Sequence, residues 1–496
     1  MRKTAIIIGS GISGLTAAIV LARHGCQTTV LEQSPSPGGL LTRFQQQGHY
    51  FSSGVHCVGS LGPGQALRQY LEYLGVWPKI RAVPMDPAGY CEFCFPDFTF
   101  AMPAHHERFR ESLLEHFPAQ RPAIDQYFAD MATTTARFPL YKLSADPYLS
   151  RENAALSLAA YLGRLTGCEP LRRILAAPNL LYGIPADECP LFVHFLVTDS
   201  VLQSSWRIDE SETSLVAAFL AALHEAGGVC RCSCQVVGLE CQANQVTGVR
   251  LADGEIITAD VVVFTGHPKL LPALCPPGTL RPGYRQRIME AEETLGIFGI
   301  ALAWQTQNFP LARQDVVLYA GASTDAVYRQ KVVYSNQRLE VVYCSGTPEG
   351  SGGSYSAVAL SGCACEEFAP WWNSRSGDRP ADYYRLKEDL AEKLFTAVCG
   401  RWPEAGSEAR IVDVFTPLTF RDYTGSPTGS ALGLKKSLKS LLETRLSTRT
   451  RIGNLFLAGQ SVIAPGLLGS LISGIAASEA VLGTGELTTE IVKERA

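Results

Sequence analysis

The residues whose types and spacing could do chemistry begin at position 9. Gly9-Ser10-Gly11-Ile-Ser-Gly14 follows the apolar run Ala5 to Ile8 and opens an alanine-rich stretch with helical spacing. In a strand–turn–helix unit each glycine has a separate job. Gly9 makes the tight turn, Gly11 lets the backbone approach a pyrophosphate, and Gly14 lets the helix pack close to the strand. Ser10 lies within the same phosphate loop, and the helix start offers free N–H groups and a positive dipole end. Glu32 ends the next apolar run, where a carboxylate can accept ribose hydroxyls. Strand, helix and acid together predict a dinucleotide site, against the alternative of a tight packing turn. Pro37-Gly38-Gly39-Leu40 comes next, and its glycine pair lets the chain turn back beneath the pyrophosphate.

Elements elsewhere must hold this loop in place. With 496 residues the chain exceeds one ordinary core, so at least two domains are expected. Hydrophobic residues make up 46% and charged residues 18%, which describes a globular protein with a rather apolar surface. The net charge of −4 gives no drive toward nucleic acid. Fifteen cysteines lack the paired spacing of a zinc module, so no metal site is expected. In Arg231-Cys232-Ser-Cys234 the alternation reads as a strand with buried cysteines. The odd cysteine count and the absence of a secretory leader predict a reducing, cytoplasmic setting.

After Ser211 the spacing of Leu215, Val216, Phe219, Leu220 and Leu223 predicts a helix ended by Gly227-Gly228, with Asp209, Glu210 and Glu212 suiting its dipole. Strands are expected over Val229 to Glu240 and Val246 to Leu251, then a hairpin turn at Asp253-Gly254 and a buried strand from Ala259. The stretch from Leu455 to Ser478 carries no charge, but its glycines and Pro465 predict strand then helix rather than a membrane span.

Glu32, Pro37-Gly38-Gly39-Leu40 and Tyr50-Phe51 resemble the extended FAD motif of the amine oxidase and phytoene desaturase superfamily. Ser53-Gly54-Val55-His56-Cys57-Val58-Gly59 and Arg421-Asp422-Tyr423-Thr424-Gly425-Ser426-Pro427 resemble phrases of its retinol saturase and carotenoid isomerase branch. The resemblance is dense in the nucleotide segments and in 417–432, and sparse in the insertions. It implies an α/β architecture: a discontinuous Rossmann-like FAD-binding domain (1–75, 210–280 and 445–496) with a mixed-sheet substrate domain and helical lid (76–209 and 281–444). The strand beginning Gly296-Ile-Phe is expected to line the cavity.

The same resemblance implies non-covalent FAD, with Val236 placing its backbone against the adenine. Gly459 and Gln460 would lie near the ribityl phosphate, where most relatives carry an acid in place of Gln460. The helix opened by Gly466-Leu467-Leu468 would face the flavin pyrimidine edge. The segment before the helix at 215 lacks the family's glycine-rich turn. The implied chemistry is hydride transfer between flavin and a carbon–carbon double bond of an apolar, polyene-type substrate, by saturation, desaturation or isomerisation.

His56 and Tyr423 are candidate proton donors. A histidine bonded to FAD or backbone, and a turn fixed by Asp422 and Gly425, are the competing readings. No second strand-linked glycine fingerprint marks an NAD(P)H site, since Gly350-Ser-Gly352-Gly353 reads as a loop, so the external electron donor is unassigned. A flavin amine oxidase and a non-catalytic FAD-bearing binding protein are the alternatives, although no aromatic pair suited to an amine stands out. The apolar runs Phe93 to Phe100 and Pro190 to Val197 predict a peripheral contact with one membrane leaflet, against the alternative that both are lid core.

Overall fold

The computed structural model describes residues 2–143, 156–210, 212–305, 309–333, 339–351, 354–444 and 446–493. A parallel sheet lies at the centre of the first domain. Its strand order is Val229–Arg231, Gln27–Leu31, Thr4–Ile8, Val261–Phe264 and Leu455–Leu457. All four pairings are parallel. Segments 1–75, 210–280 and 445–496 therefore supply every strand of this sheet. Thr4–Ile8 is central, and Ala5 to Ile7 are fully buried, as a strand covered on both faces requires. The chain winds outward from it in both directions, which makes its carboxyl end a topological switch point.

The helices Ile12–Arg23, Gly466–Leu482 and Leu215–Glu225 share the core on one face. Ile12–Arg23 and Gly466–Leu482 lie against each other so closely that a Cβ on Gly474 would overlap the Ser13 carbonyl oxygen. The helix Leu215–Glu225 forms as its spacing predicts, with the Ser214 hydroxyl capping Ala217 N–H at 3.1 Å. The acids before it divide their roles. Glu210 accepts from Leu215 N–H at 2.7 Å, whereas Asp209 turns away to Arg81 at 3.2 Å. Ser211 lies outside the described residues.

One strand expectation is corrected. Val229 to Glu240 is not continuous: Val229–Arg231 joins the parallel sheet, and Val236–Gln242 begins a separate antiparallel meander. Between them Ser233 takes a φ of +54°, and its N–H bonds to the Ser34 carbonyl at 3.0 Å. Cys232 and Cys234 are therefore half-buried in a bend beneath Glu32, not alternating on a strand. All fifteen cysteines are free thiols.

The second domain is built on a seven-stranded mixed sheet, ordered Ala409–Phe415, Gly296–Gln305, Ser354–Cys363, Val341–Ser351, Asp315–Tyr319, Cys91–Cys94 and Thr99–Met102. The first insertion thus adds two strands to a sheet made mostly by the second. Gly350 and Ser351 sit at a hairpin end of this sheet, while Gly352 and Gly353 lie outside the described residues. Lid helices, among them Arg121–Thr135 and Leu191–Gln203, share a core with this edge. There the buried His194 is hydrogen-bonded to the hydroxyls of Tyr127 at 2.7 Å and Tyr182 at 2.9 Å.

Phe93, Phe95 and Phe100 are buried in that core. This corrects the expectation that they form a leaflet-facing run. They are hairpin residues whose rings pack inward, as the Phe95–Tyr319 stack at 4.5 Å illustrates. Among the described residues no single helix is long and apolar enough to cross a membrane.

Candidate flavin site

Strand register gathers the sequence-predicted residues at one edge. Ile8 pairs with Leu31 and Phe264, and Phe264 pairs with Leu457. The next residues along each strand, Gly9, Glu32, Thr265 and Ala458, therefore emerge side by side at the carboxyl end of the parallel sheet. Gly459 follows, its amide accepted by the Ser473 hydroxyl at 3.0 Å, and Gln460 comes after it, half-buried.

The three glycines of the first turn have separable physical roles. A Cβ at Gly14 would overlap the Gly9 carbonyl, so that position is closed by packing. A Cβ at Gly11 would meet no protein atom within 4 Å. Packing does not demand glycine there, whereas a close-lying pyrophosphate would. Gly39 is folded against this turn, its Cβ position 3.7 Å from the Gly11 Cα. Glu32, Ser10 and Gly38 are linked in series: the Gly38 amide donates to the Ser10 hydroxyl at 2.8 Å, which donates to Glu32 Oε2 at 2.6 Å.

Both helices that begin at this edge start without a side-chain cap, one at Gly11 and the other at Pro465. The Ser13 hydroxyl donates to the Ser470 carbonyl at 2.6 Å and fixes the two starts beside each other. Two adjacent, uncapped N-termini offer orphan N–H groups and positive dipole ends to anionic groups. The open Gly11 cradle, the acid at Glu32 and the second helix start fit a flavin adenine dinucleotide. Val236 opens the meander strand, half-buried against the cluster that contains Leu31.

From this edge a cavity of about 1260 Å³ passes between the domains. Ligand pockets commonly measure roughly 300–1,000 Å³, so this one has room for a cofactor and a further molecule. Gly39, Leu40, His56, Tyr423, Gly466, Leu467 and Leu468 stand in its wall. Its floor is the mixed sheet, through Ile297, Val358, Leu360, Val341 and Tyr343. Its far side is the lid, where Phe138, Leu140, Leu180 and Val197 present carbon.

His56 and Tyr423 are held in different surroundings. His56 lies in the inner wall, its ring 5.8 Å from that of Tyr343. Burial pushes its pKa down to about 4, with Asp315 opposing and Arg207 reinforcing the shift. The imidazole is thus neutral at neutral pH and offers one N–H and one lone pair. Behind it Arg207 and Asp315 form a buried ion pair at 2.6 Å, and the Tyr343 hydroxyl donates to the other Asp315 oxygen at 2.6 Å. Tyr423 instead stands at the cavity rim with 70% of its surface exposed. Its neighbours are structural: Arg421 bonds Asp422, the Ser374 carbonyl and the Trp372 carbonyl, and Gly425 ends the helix with a φ of +70°. Tyr423 therefore meets the cavity where water reaches it, whereas His56 is enclosed.

Several wall residues were not foreseen. Val358 and Leu360, like Val341 and Tyr343, alternate on their strands, so a pleat argument would have found them. Lys387 lies on the helix Ala381–Arg401, whose many charges read as a solvated face, and no sequence signal marks it. Among the described residues no group of three or more His, Cys, Asp or Glu side chains could hold a metal ion.

Comparison with known proteins agrees with this geometry. An all-trans-retinol 13,14-reductase from Danio rerio is 23% identical over 96% of this chain and 86% of its own length. A neurosporene-forming phytoene desaturase from Cereibacter sphaeroides is 24% identical over 94% of this chain and 92% of its own. The crystal structure of an oxidoreductase from Methanosarcina mazei superposes with a TM-score of 0.68 at 16% identity, covering 96% of this chain and all of that one, and so supports the fold. Residues 12–482 match the flavin containing amine oxidoreductases, and the chain belongs to that family.

Proposed function

We propose that this protein is an FAD-dependent oxidoreductase that acts on a carbon–carbon double bond of a long, apolar, conjugated substrate. The observation that carries this reading is the shape and lining of the cavity. Carbon predominates in the walls, from Leu467 and Leu468 at the helix start through Ile297, Val358 and Leu360 on the sheet floor to Phe138, Leu140 and Leu180 at the lid. The names of the aligned relatives, a retinol reductase and a carotenoid desaturase, point to the same chemistry. Bound flavin supplies a two-electron hydride donor or acceptor. The chain's own residues do the rest. The helix starts at Gly11 and Gly466 favour negative charge beside them. Ile297, Val358 and Leu360 exclude water and lay an extended chain along the sheet. Neutral His56 offers one N–H and one lone pair at the inner wall.

Saturation draws its electrons from an external donor such as NAD(P)H or a protein carrier. The protein works in the cytoplasm and takes its water-insoluble substrate at a membrane surface. Leu181 at the lid, 38% exposed and in the cavity wall, is the side chain best placed for that contact.

An anaerobic experiment tests the activity. The flavin is photoreduced, candidate polyenes are added, and flavin reoxidation is followed with product analysis. Reoxidation with formation of a saturated product, or formation of an isomerised product with the flavin still reduced, is expected. Absence of any polyene product with oxidised and with reduced flavin would overturn the proposal. Reduction of the flavin by amines would favour an amine oxidase instead.

A further inference from the structure

The cavity has two chemically different ends. Its floor crosses four adjacent strands, Ala409–Phe415, Gly296–Gln305, Ser354–Cys363 and Val341–Ser351, or ~14 Å at the usual strand spacing. Beyond Tyr343 lies the apolar lid. At the opposite side, beside the edge strand, the wall turns polar with Gln46, Ser376, Arg379, Lys387, Asp413 and Asp422.

Two cations, Arg379 and Lys387, and two carboxylates, Asp413 and Asp422, stand in that wall, and Arg421 adds a third cation behind Asp422. Asp422 is bound by Arg379 and also by Arg421, whose Nη2 lies at 2.6 Å. Asp413 is held by its neighbours, accepting from Val414 N–H at 2.7 Å and from Gln46 Nε2 at 3.3 Å. Lys387, half-buried in the wall, makes no ion pair or hydrogen bond among the described residues. Burial lowers its pKa; Asp413 opposes this and the Arg379 cation adds to it. An ammonium has three donors and no acceptor, so a neutral hydrocarbon against it offers them no partner.

We propose that Lys387, with Arg379 beside it, receives a carboxylate at one terminus of the substrate. The preferred substrate is then an apolar-chain acid rather than a hydrocarbon. This rests on the polyene reading of the same cavity. An anion there supplies the acceptors that Lys387 lacks, while the remaining carbon chain runs over Leu360 and Val358 toward the lid. The polar end thereby fixes which way round the chain enters, and with it which double bond lies nearest the flavin.

The test uses the flavin-loaded full-length protein and three probes: retinoic acid as a conjugated polyene acid, its methyl ester, and a polyene hydrocarbon. Binding is read from perturbation of the flavin spectrum, and turnover from product analysis. The acid is expected to bind roughly ten- to hundredfold tighter than the ester, the range for a hydrogen bond to a charged group. Lys387→Met should bring the acid down to the affinity of the ester, and Lys387→Arg should keep most of the preference. Flavin content of each variant reports folding. Equal affinity for acid and ester, or a preference that survives Lys387→Met, overturns the carboxylate assignment while the polyene reading stands. If none of the three probes perturbs the flavin or is converted, both fail.

Discussion

Ser10 donates to the same oxygen of Glu32 twice, from its hydroxyl at 2.6 Å and from its amide at 2.9 Å. The other Glu32 oxygen accepts from Ser34 N–H at 2.9 Å. One carboxylate thus holds the glycine turn and the loop that leads to Gly38, and its remaining lone pairs are available to a ribose. Glu32→Ala should weaken FAD retention by roughly 1–3 kcal/mol, the range for losing a hydrogen bond to a charged group. Titration of apo-protein with FAD, followed by fluorescence quenching, measures it. Unaltered affinity would remove Glu32 from the site.

The glycines of the turn should fail in different ways. Gly11→Val has open space for its side chain and should give folded, colourless protein, because the pyrophosphate needs that space. Gly14→Val collides with the Gly9 carbonyl and should lower stability whether or not flavin is present. Circular dichroism melts together with the 450 nm band separate the two. A yellow Gly11→Val protein with full flavin content would contradict the assignment of the phosphate cradle.

Two enclosed imidazoles, His56 in the cavity wall and the buried His194, make stability depend on pH. Burial pushes His56 down to about 4 and His194 to about 3, whereas unfolded histidine titrates near ~6.5. As pH falls below that value the unfolded chain takes up protons that the folded chain refuses. Their contribution is therefore complete above the unfolded pKa and is lost as pH falls toward the folded values. The urea midpoint should drop between pH 7.5 and pH 5, and His194→Gln should flatten that slope. A midpoint that holds steady or rises at pH 5 would contradict the neutral, buried assignment.

Arg207 reaches from the strand Ser205–Asp209 to Asp315 in the mixed sheet, with both side chains almost fully buried. Asp315→Asn leaves an uncompensated guanidinium there, and breaking such a pair typically costs about 3–5 kcal/mol. Chemical denaturation should show a loss of that order. The double variant Arg207→Met with Asp315→Leu should recover part of it. If the single and double variants are equally destabilised, the penalty comes from packing rather than from a stranded charge.

The proposed membrane contact predicts behaviour in liposome flotation. The protein should rise with vesicles and be released by detergent but not by high salt. Leu181→Asp should reduce the floating fraction several-fold, since the side chain is exposed at the lid. If wild-type protein stays in the soluble fraction with oxidised and with reduced flavin, the substrate must arrive by another route.

Local patterns were sufficient for the nucleotide domain. A four-residue buried strand, a glycine turn and a helix are specified by neighbours in the chain, so Gly9, Gly11, Gly14 and Glu32 could be read directly. Even the strand at Leu455 and the helix at Gly466 followed from composition, because parallel strands buried on both faces are continuously apolar. What the sequence left open depends on residues far apart in the chain. Ser233 breaks an otherwise good strand because its backbone is drawn under Ser34, 199 positions earlier in the numbering (233 − 34). Phe93, Phe95 and Phe100 read as an apolar run, and only pairing of their hairpin with Asp315–Tyr319 turned those rings inward. Lys387 is one charge among many on its helix. It becomes a feature of the site because strand Ala409–Phe415 and the hairpin at Arg43–Gln46 close a cavity against it, and enclosure is a property of packing that no single segment encodes.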